Sequence, residues 1–232
     1  MAVAYFLSFH DTANPAATLS EPDRSRMVEI IRSTPRLARA LMYTPAITRD
    51  PYLDDGPAPQ LALQLYFADL PELESALAPR GHLQALAAPG AISSLGGAAA
   101  TQQAMLVRSF PVPDAAPGHA PGELPCTYLV SYEGAAQDLN EWLSHYISHH
   151  APVMARFPGI REVEICTRID WCGALPWRRV DHMLRNKVVF DSAQALTAAL
   201  NSPVRHEMRA DFKKFPPFTG ATSHYPMATR AI

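Results

Sequence analysis

The chain has 232 residues, nearly half of them hydrophobic, and a formal net charge of −2. That length allows one large domain or two of about 100 residues each, and the slight charge excludes a nucleic-acid surface, since the densest basic pairs, Arg178-Arg179 and Lys213-Lys214, read as solvated surface. Three cysteines without metal-ligand spacing, an N-terminus that reads as a strand and not a signal peptide, and no run near the roughly 18 apolar residues of a bilayer span predict a cytoplasmic protein with no membrane partner.

Taken in chain order, the first predicted element is a strand over Ala4 to Phe9, apolar and rich in β-formers. A helix follows, with Ser20 as N-cap and Pro22 and Asp23 in its first turn. Pro45 is read as the break after that helix. A strand over Leu61 to Phe67, a helix starting near Asp69 and a strand over Ala104 to Phe110 complete the first half, residues 1–110. Residues 111–125, PVPDAAPGHAPGELP, suit neither helix nor central strand and read as a linker. The second half, residues 126–232, repeats the order. It has a strand over Thr127 to Tyr132, a helix with Asp138 and Glu141 in a capping-box arrangement, and a break at Pro158-Gly159. Strands over Ile160 to Ile169 and Met183 to Phe190, a helix capped near Ser192 and a last strand over about Ala221 to Ala228 follow.

The halves resemble each other in sequence. Tyr5 to Phe9 matches Tyr128 to Tyr132, and Phe67 to Leu77 matches Phe190 to Leu200, both at one offset of 123 residues (128 − 5 and 190 − 67). Between these stretches the halves align only with gaps. Each half has the βαββαβ order of a ferredoxin-like unit, whose sheet carries helices on one face and leaves the other to be covered. The fold expected is therefore α+β, two tandem ferredoxin-like βαββαβ units whose sheets pack face to face as an intrachain pseudo-dimeric α+β barrel.

The most informative segment is Asp138 to Gly159. Its apolar residues Leu139, Trp142, Leu143, Tyr146 and Ile147 fall at helical steps, and His150 is next on that stripe, so its imidazole faces the sheet. A buried imidazole with a hydrogen-bond partner can titrate near neutral pH and suits proton transfer, with Tyr146 to orient it or the substrate; the alternative is a satisfied core histidine. His145 and His149 share a helical face, but with no third ligand they read as a solvated pair, and no metal site is assigned. Further candidates for substrate binding are Tyr128 and Tyr132 on one strand face, Trp171, Trp177 and Arg179 in the loop DWCGALPWRR, and His182 and His224 on strands; the alternative for the loop is a hydrophobic segment packed on the other half. A pocket between the second sheet and its helices is expected, reached by His150 and roofed partly by the loop from Asp170 to Arg179. Counting back from Pro35, the first-half counterpart of His150 is Ser33, so only one half carries a titratable group there.

Tyr146-x-x-x-His150-Ala151-Pro152-Val153, followed by Phe157-Pro158-Gly159-Ile160, resembles the EthD-like group of dimeric α+β barrel proteins. Phe190-Asp191-Ser192 and Asp211-x-x-x-Phe215 extend the resemblance over about residues 125 to 228. It implies a catabolic or polyketide-pathway protein, working on a small molecule without a cofactor, with a homodimer of the chain allowed. The leading expectation is a cofactor-free lyase, isomerase or cyclase acting on a small aromatic or carbonyl-containing metabolite. The alternatives are a non-catalytic small-molecule-binding or stress-associated protein and a cofactor-independent oxygenase.

Overall fold

The structure, a computed structural model, describes residues 2–48, 50–116, 118–119 and 122–232. Pro117, Ala120 and Pro121 of the expected linker lie outside the described residues.

The first half runs β1 (Val3–His10), α1 (Glu21–Arg32), β2 (Leu37–Pro45), β3 (Leu61–Phe67), α2 (Leu70–Leu77) and β4 (Ala99–Phe110), with two short 3₁₀ turns before β4. The second runs β5 (Cys126–Tyr132), α3 (Leu139–His145), a π-helical turn (Tyr146–His150), α4 (Ala151–Met154) and β6 (Ile160–Arg168). It continues through the two-residue β7 (Arg178–Arg179), β8 (Leu184–Phe190), α5 (Ala193–Leu200), α6 (Pro203–Phe212) and β9 (Thr222–Ala231). The caps read from sequence are formed. Ser20, Asp69, Asp138 and Ser192 each accept the backbone N–H three residues on, satisfying a donor that the first turn would leave orphaned.

Eight strands close into one antiparallel barrel in the order β1-β3-β2-β9-β5-β8-β6-β4, with β4 pairing back to β1. This corrects the expected face-to-face packing of two sheets. The sheets instead join at their edges, β2 to β9 and β4 to β6, and the two-residue β7 adds to β4 in parallel outside the barrel. Alternation along β1 shows the result. Val3, Tyr5, Leu7 and Phe9 pack outward under the first-half helices, while Ala4 and Phe6 point into a shared lumen with Tyr43, Met105 and Met227. A separate cluster around Trp142, Tyr146, Val188 and Leu196 lies under the second-half helices.

The 123-residue offset holds through the pairing. Val3 faces Phe67 and Cys126 faces Phe190; Phe9 faces Leu61 and Tyr132 faces Leu184. Both second strands carry a bulge at the same place, between Leu37 and Arg39 and between Ile160 and Glu162. Both turns before them use a left-handed residue, Arg36 (φ 63°) and Gly159 (φ 73°). No gap is needed from β1 through α2, contrary to the sequence expectation. The buried stripe of α1, Asp23, Met27 and Ile31, matches Tyr146, His150 and Met154. Met27, not Ser33, therefore stands where His150 does. Ser33 caps the exposed end of α1, bonding Glu29 O. Pro45 also needs correction, since it ends β2 opposite Met227 and does not follow the helix. After α2 the halves diverge: the first has two 3₁₀ turns where the second has helix α6. Among the described residues, no helix is long and apolar enough to cross a membrane.

Candidate active site

His150 sits on the inner stripe of its helix, as the periodicity predicts, and is 4% exposed. The π-helical turn carries it there: Ala151 N–H reaches back five residues to Tyr146 O, so Trp142, Tyr146, His150 and Met154 stay stacked on the sheet side. Its Nδ1 lies 2.8 Å from Asp211 Oδ2, at the end of α6. Burial drives the imidazole down to about 4, against the pull of Asp211 toward the charged form. At neutral pH the pair is therefore a neutral imidazole donating Nδ1–H to a carboxylate, which leaves Nε2 as the basic atom. Tyr146 and Phe215 pack on the ring, with centroids 4.9 Å and 4.7 Å away. The other Asp211 oxygen meets His145 Nε2 at 3.2 Å, and His145 stacks on His149. His145 thus supports the dyad from outside, while His149 is exposed.

The His150 ring lines a cavity of about 370 Å³ between the second-half sheet and its helices. Val130, Met154, Val188, Leu200 and Met208 make it largely apolar. Tyr128, Tyr132 and His224 face it as well, so four of the predicted residues come together. Tyr146 does not reach the cavity; its hydroxyl accepts from Asn186 Nδ2 at 2.5 Å. Asn186 lines the cavity, and its Oδ1 is buried without a partner, an acceptor open to a ligand N–H or O–H. The roof is not Asp170 to Arg179 but the β2–β3 strap of the first half. Its Asp50 is buried, accepting from Tyr128 Oη (2.7 Å) and Arg205 (2.5 Å). Tyr52 lies against the Arg209 guanidinium at 4.1 Å, and Asp55 holds His224 Nδ1 at 2.9 Å.

The remaining candidates lie elsewhere. Trp171 packs edge-on against Tyr5 and Trp177 against Phe9, and Leu175 is buried with them. Arg179 stacks on Trp171 at 3.6 Å. The β6–β8 strap thus crosses to the first half and fills the crevice equivalent to the His150 cavity. His182 is at the mouth of the barrel, where burial pushes it down to about 3. Asp211, Asn186, Asp50 and Arg205 were missed as site residues. Only Asp211 left a signal, the Asp-x-x-x-Phe pattern ahead of the last strand.

A neutral imidazole with its Nδ1–H on a carboxylate can take a proton at Nε2 or serve as a single metal ligand. Among the described residues, no group of three or more His, Cys, Asp and Glu could hold a metal ion.

The barrel recurs in solved structures. An anthrone oxidase-like protein superposes with a TM-score of 0.64 at 13% identity, covering 99% of this chain and 93% of that one. A putative monooxygenase from Lactobacillus acidophilus NCFM gives 0.51 at 12% identity over 99% and 95% of the two chains. A mutant chlorite dismutase from Candidatus Nitrospira defluvii gives 0.53 at 10% identity over 98% and 91%. These likenesses establish the dimeric α+β barrel type of fold. The narrower EthD-like resemblance gains little: an EthD family protein from Bacillus halodurans C-125 aligns with 43% of this chain, at 22% identity and a TM-score of 0.34. No family model matches the sequence. No curated protein matches it either. The expectation of a lyase, isomerase or cyclase is overturned, because the full-length neighbours are named as oxidase-like, monooxygenase and dismutase proteins.

Proposed function

We propose that the chain is an oxygenase that acts on an electron-rich aromatic carbon acid, with His150 as general base. The observation that carries this reading is the neutral His150–Asp211 dyad on the wall of a largely apolar cavity. The names of the neighbours favour dioxygen chemistry over elimination or cyclisation. Nε2 of His150 takes a proton from an activated C–H, and Asp211 stabilises the imidazolium formed. Asn186 Oδ1 accepts a phenolic O–H of the substrate and fixes its ring. The substrate carbanion passes one electron to dioxygen, and the two radicals combine to a peroxide. Return of the proton from His150 and loss of water leave a carbonyl, so that R₂CH₂ + O₂ gives R₂C=O + H₂O. The electrons come from the substrate, and the reaction as written needs no separate reductant.

We also infer that residues 1–110 and 126–232 are copies of one unit joined by 111–125, and that the second copy alone works. The constant offset supports the first point, and the Trp171 and Trp177 plug supports the second.

Anthrone under ¹⁸O₂ is the test. Oxygen uptake with one ¹⁸O in the new carbonyl is expected. An absence of uptake, or product oxygen drawn from water, would reject the reading.

A further inference from the structure

A second cavity, of about 550 Å³, opens into the barrel lumen on the opposite side of the sheet from His150. Val130 and Asn186 line both cavities, but strand alternation separates the side chains: Asn186 reaches Tyr146 under the helices, while its neighbour Arg185 lies over Phe6 in the lumen. Lys187, two residues on, also points inward. Lys187 is neutralised there, with Glu162 and Glu164 each 3.1 Å from Nζ and Tyr66 Oη at 2.9 Å. Arg185 has no such partner among the described residues. Its Nε makes one long contact, 3.4 Å to Gln103, and its guanidinium stands 5.3 Å over the Phe6 ring. Glu133 lines the same cavity but forms no ion pair with it. Two more polar atoms at this mouth, His10 Nε2 and His182 Nδ1, are buried without partners. Two imidazole nitrogens buried without partners are costly unless something fills the hollow, and a half-buried cation without a counter-charge stands beside them.

We propose that the barrel mouth is a second ligand site, for an organic carboxylate whose acid group meets Arg185 and whose apolar body lies on Phe6, Ala62 and Leu129. A guanidinium fork matches a carboxylate by two parallel hydrogen bonds. His10 and His182 offer further polar contacts at the rim. Desolvation, which pulls the Arg185 guanidinium down to about 10, is what a bound anion would relieve. The site stands apart from the oxygenase reading, because the sheet lies between the two cavities.

Methyl NMR of the intact chain with benzoate, and with benzamide as its uncharged counterpart, tests this. Benzoate is expected to shift the Leu129 and Ala62 methyls saturably, leave Met154 and Met208 unmoved, and bind about tenfold more tightly than benzamide. Arg185→Gln removes that preference. Equal binding of the two probes, shifts confined to Met154 and Met208, no saturable shift at Leu129, or an unchanged preference in Arg185→Gln would each overturn the proposal. The benzoate–benzamide comparison on the native chain decides the matter even if the variant fails to fold.

Discussion

Buried imidazole and carboxylate at 2.8 Å set the chemistry at the residue scale. Because burial holds the folded-state value of His150 near 4, below the ordinary 6.5, the base is ready at any pH above about 5. The acid limb of kcat/KM in the folded enzyme should therefore fall near 4, as a pH–rate profile would show. Stability has the matching sign. The depressed group contributes fully above 6.5, where both states are neutral. On acidification the unfolded chain gains a proton first, and the contribution is lost between 6.5 and 4. The loss approaches about 3 kcal/mol, at about 1.4 kcal/mol per unit. Urea titrations across this range should show the slope, and His150→Ala should flatten it. Asp211→Asn would retain a hydrogen-bonding partner for Nδ1 but no charge to stabilise the imidazolium, and should cut turnover about 100-fold or more without moving KM much.

At the scale of elements, the two straps decide which half has room for a substrate. They have equal length, 46–60 and 169–183, and each crosses to the other half. One inserts Trp171, Leu175 and Trp177; the other lays Tyr52 over an opening and anchors it through buried Asp50. Trp171→Ala should cost stability, about 2–3 kcal/mol by thermal unfolding, with turnover of the folded fraction unchanged. Asp50→Ala should do more, leaving Arg205 without its carboxylate and Tyr128 without its acceptor; a loss of about 3 kcal/mol and a raised KM are expected. The strands, helix caps and His150 stripe were legible because alternation, capping and helical period are local. The strap destinations were not. Aromatic residues and arginine in DWCGALPWRR look the same whether they line a pocket or fill one, and only barrel closure decides. Asp211 was half-legible for the same reason: its motif is local, but its partner lies 61 residues away. The Ser33 assignment failed because it aligned Pro35 with Pro152, whereas the register pairs Pro35 with Pro158.

For the whole molecule, the two halves are locked by edge pairing and by charges in the lumen. Arg39 on β2 and Glu162 on β6, which occupy equivalent positions 123 residues apart, bond each other between non-adjacent strands at 2.9 Å and 3.2 Å. Lys187 and Glu164 extend the network with Tyr66, Gln64 and Tyr43. Removing one member strands the others. Lys187→Met should destabilise by about 3–5 kcal/mol, and adding Glu164→Gln should recover part of that loss in a double-mutant cycle. Because the barrel is continuous, the halves should unfold in one transition, which coincident fluorescence and circular dichroism curves would show.

On this proposal one half works, through His150, while its counterpart Met27 only packs. Oxygen uptake with anthrone, measured side by side for His150→Ala and Met27→Leu, puts it to the test. A fall of at least about 100-fold is expected for His150→Ala in a folded protein, and a rate within about twofold of native for Met27→Leu. A folded His150→Ala that keeps the native rate would contradict it.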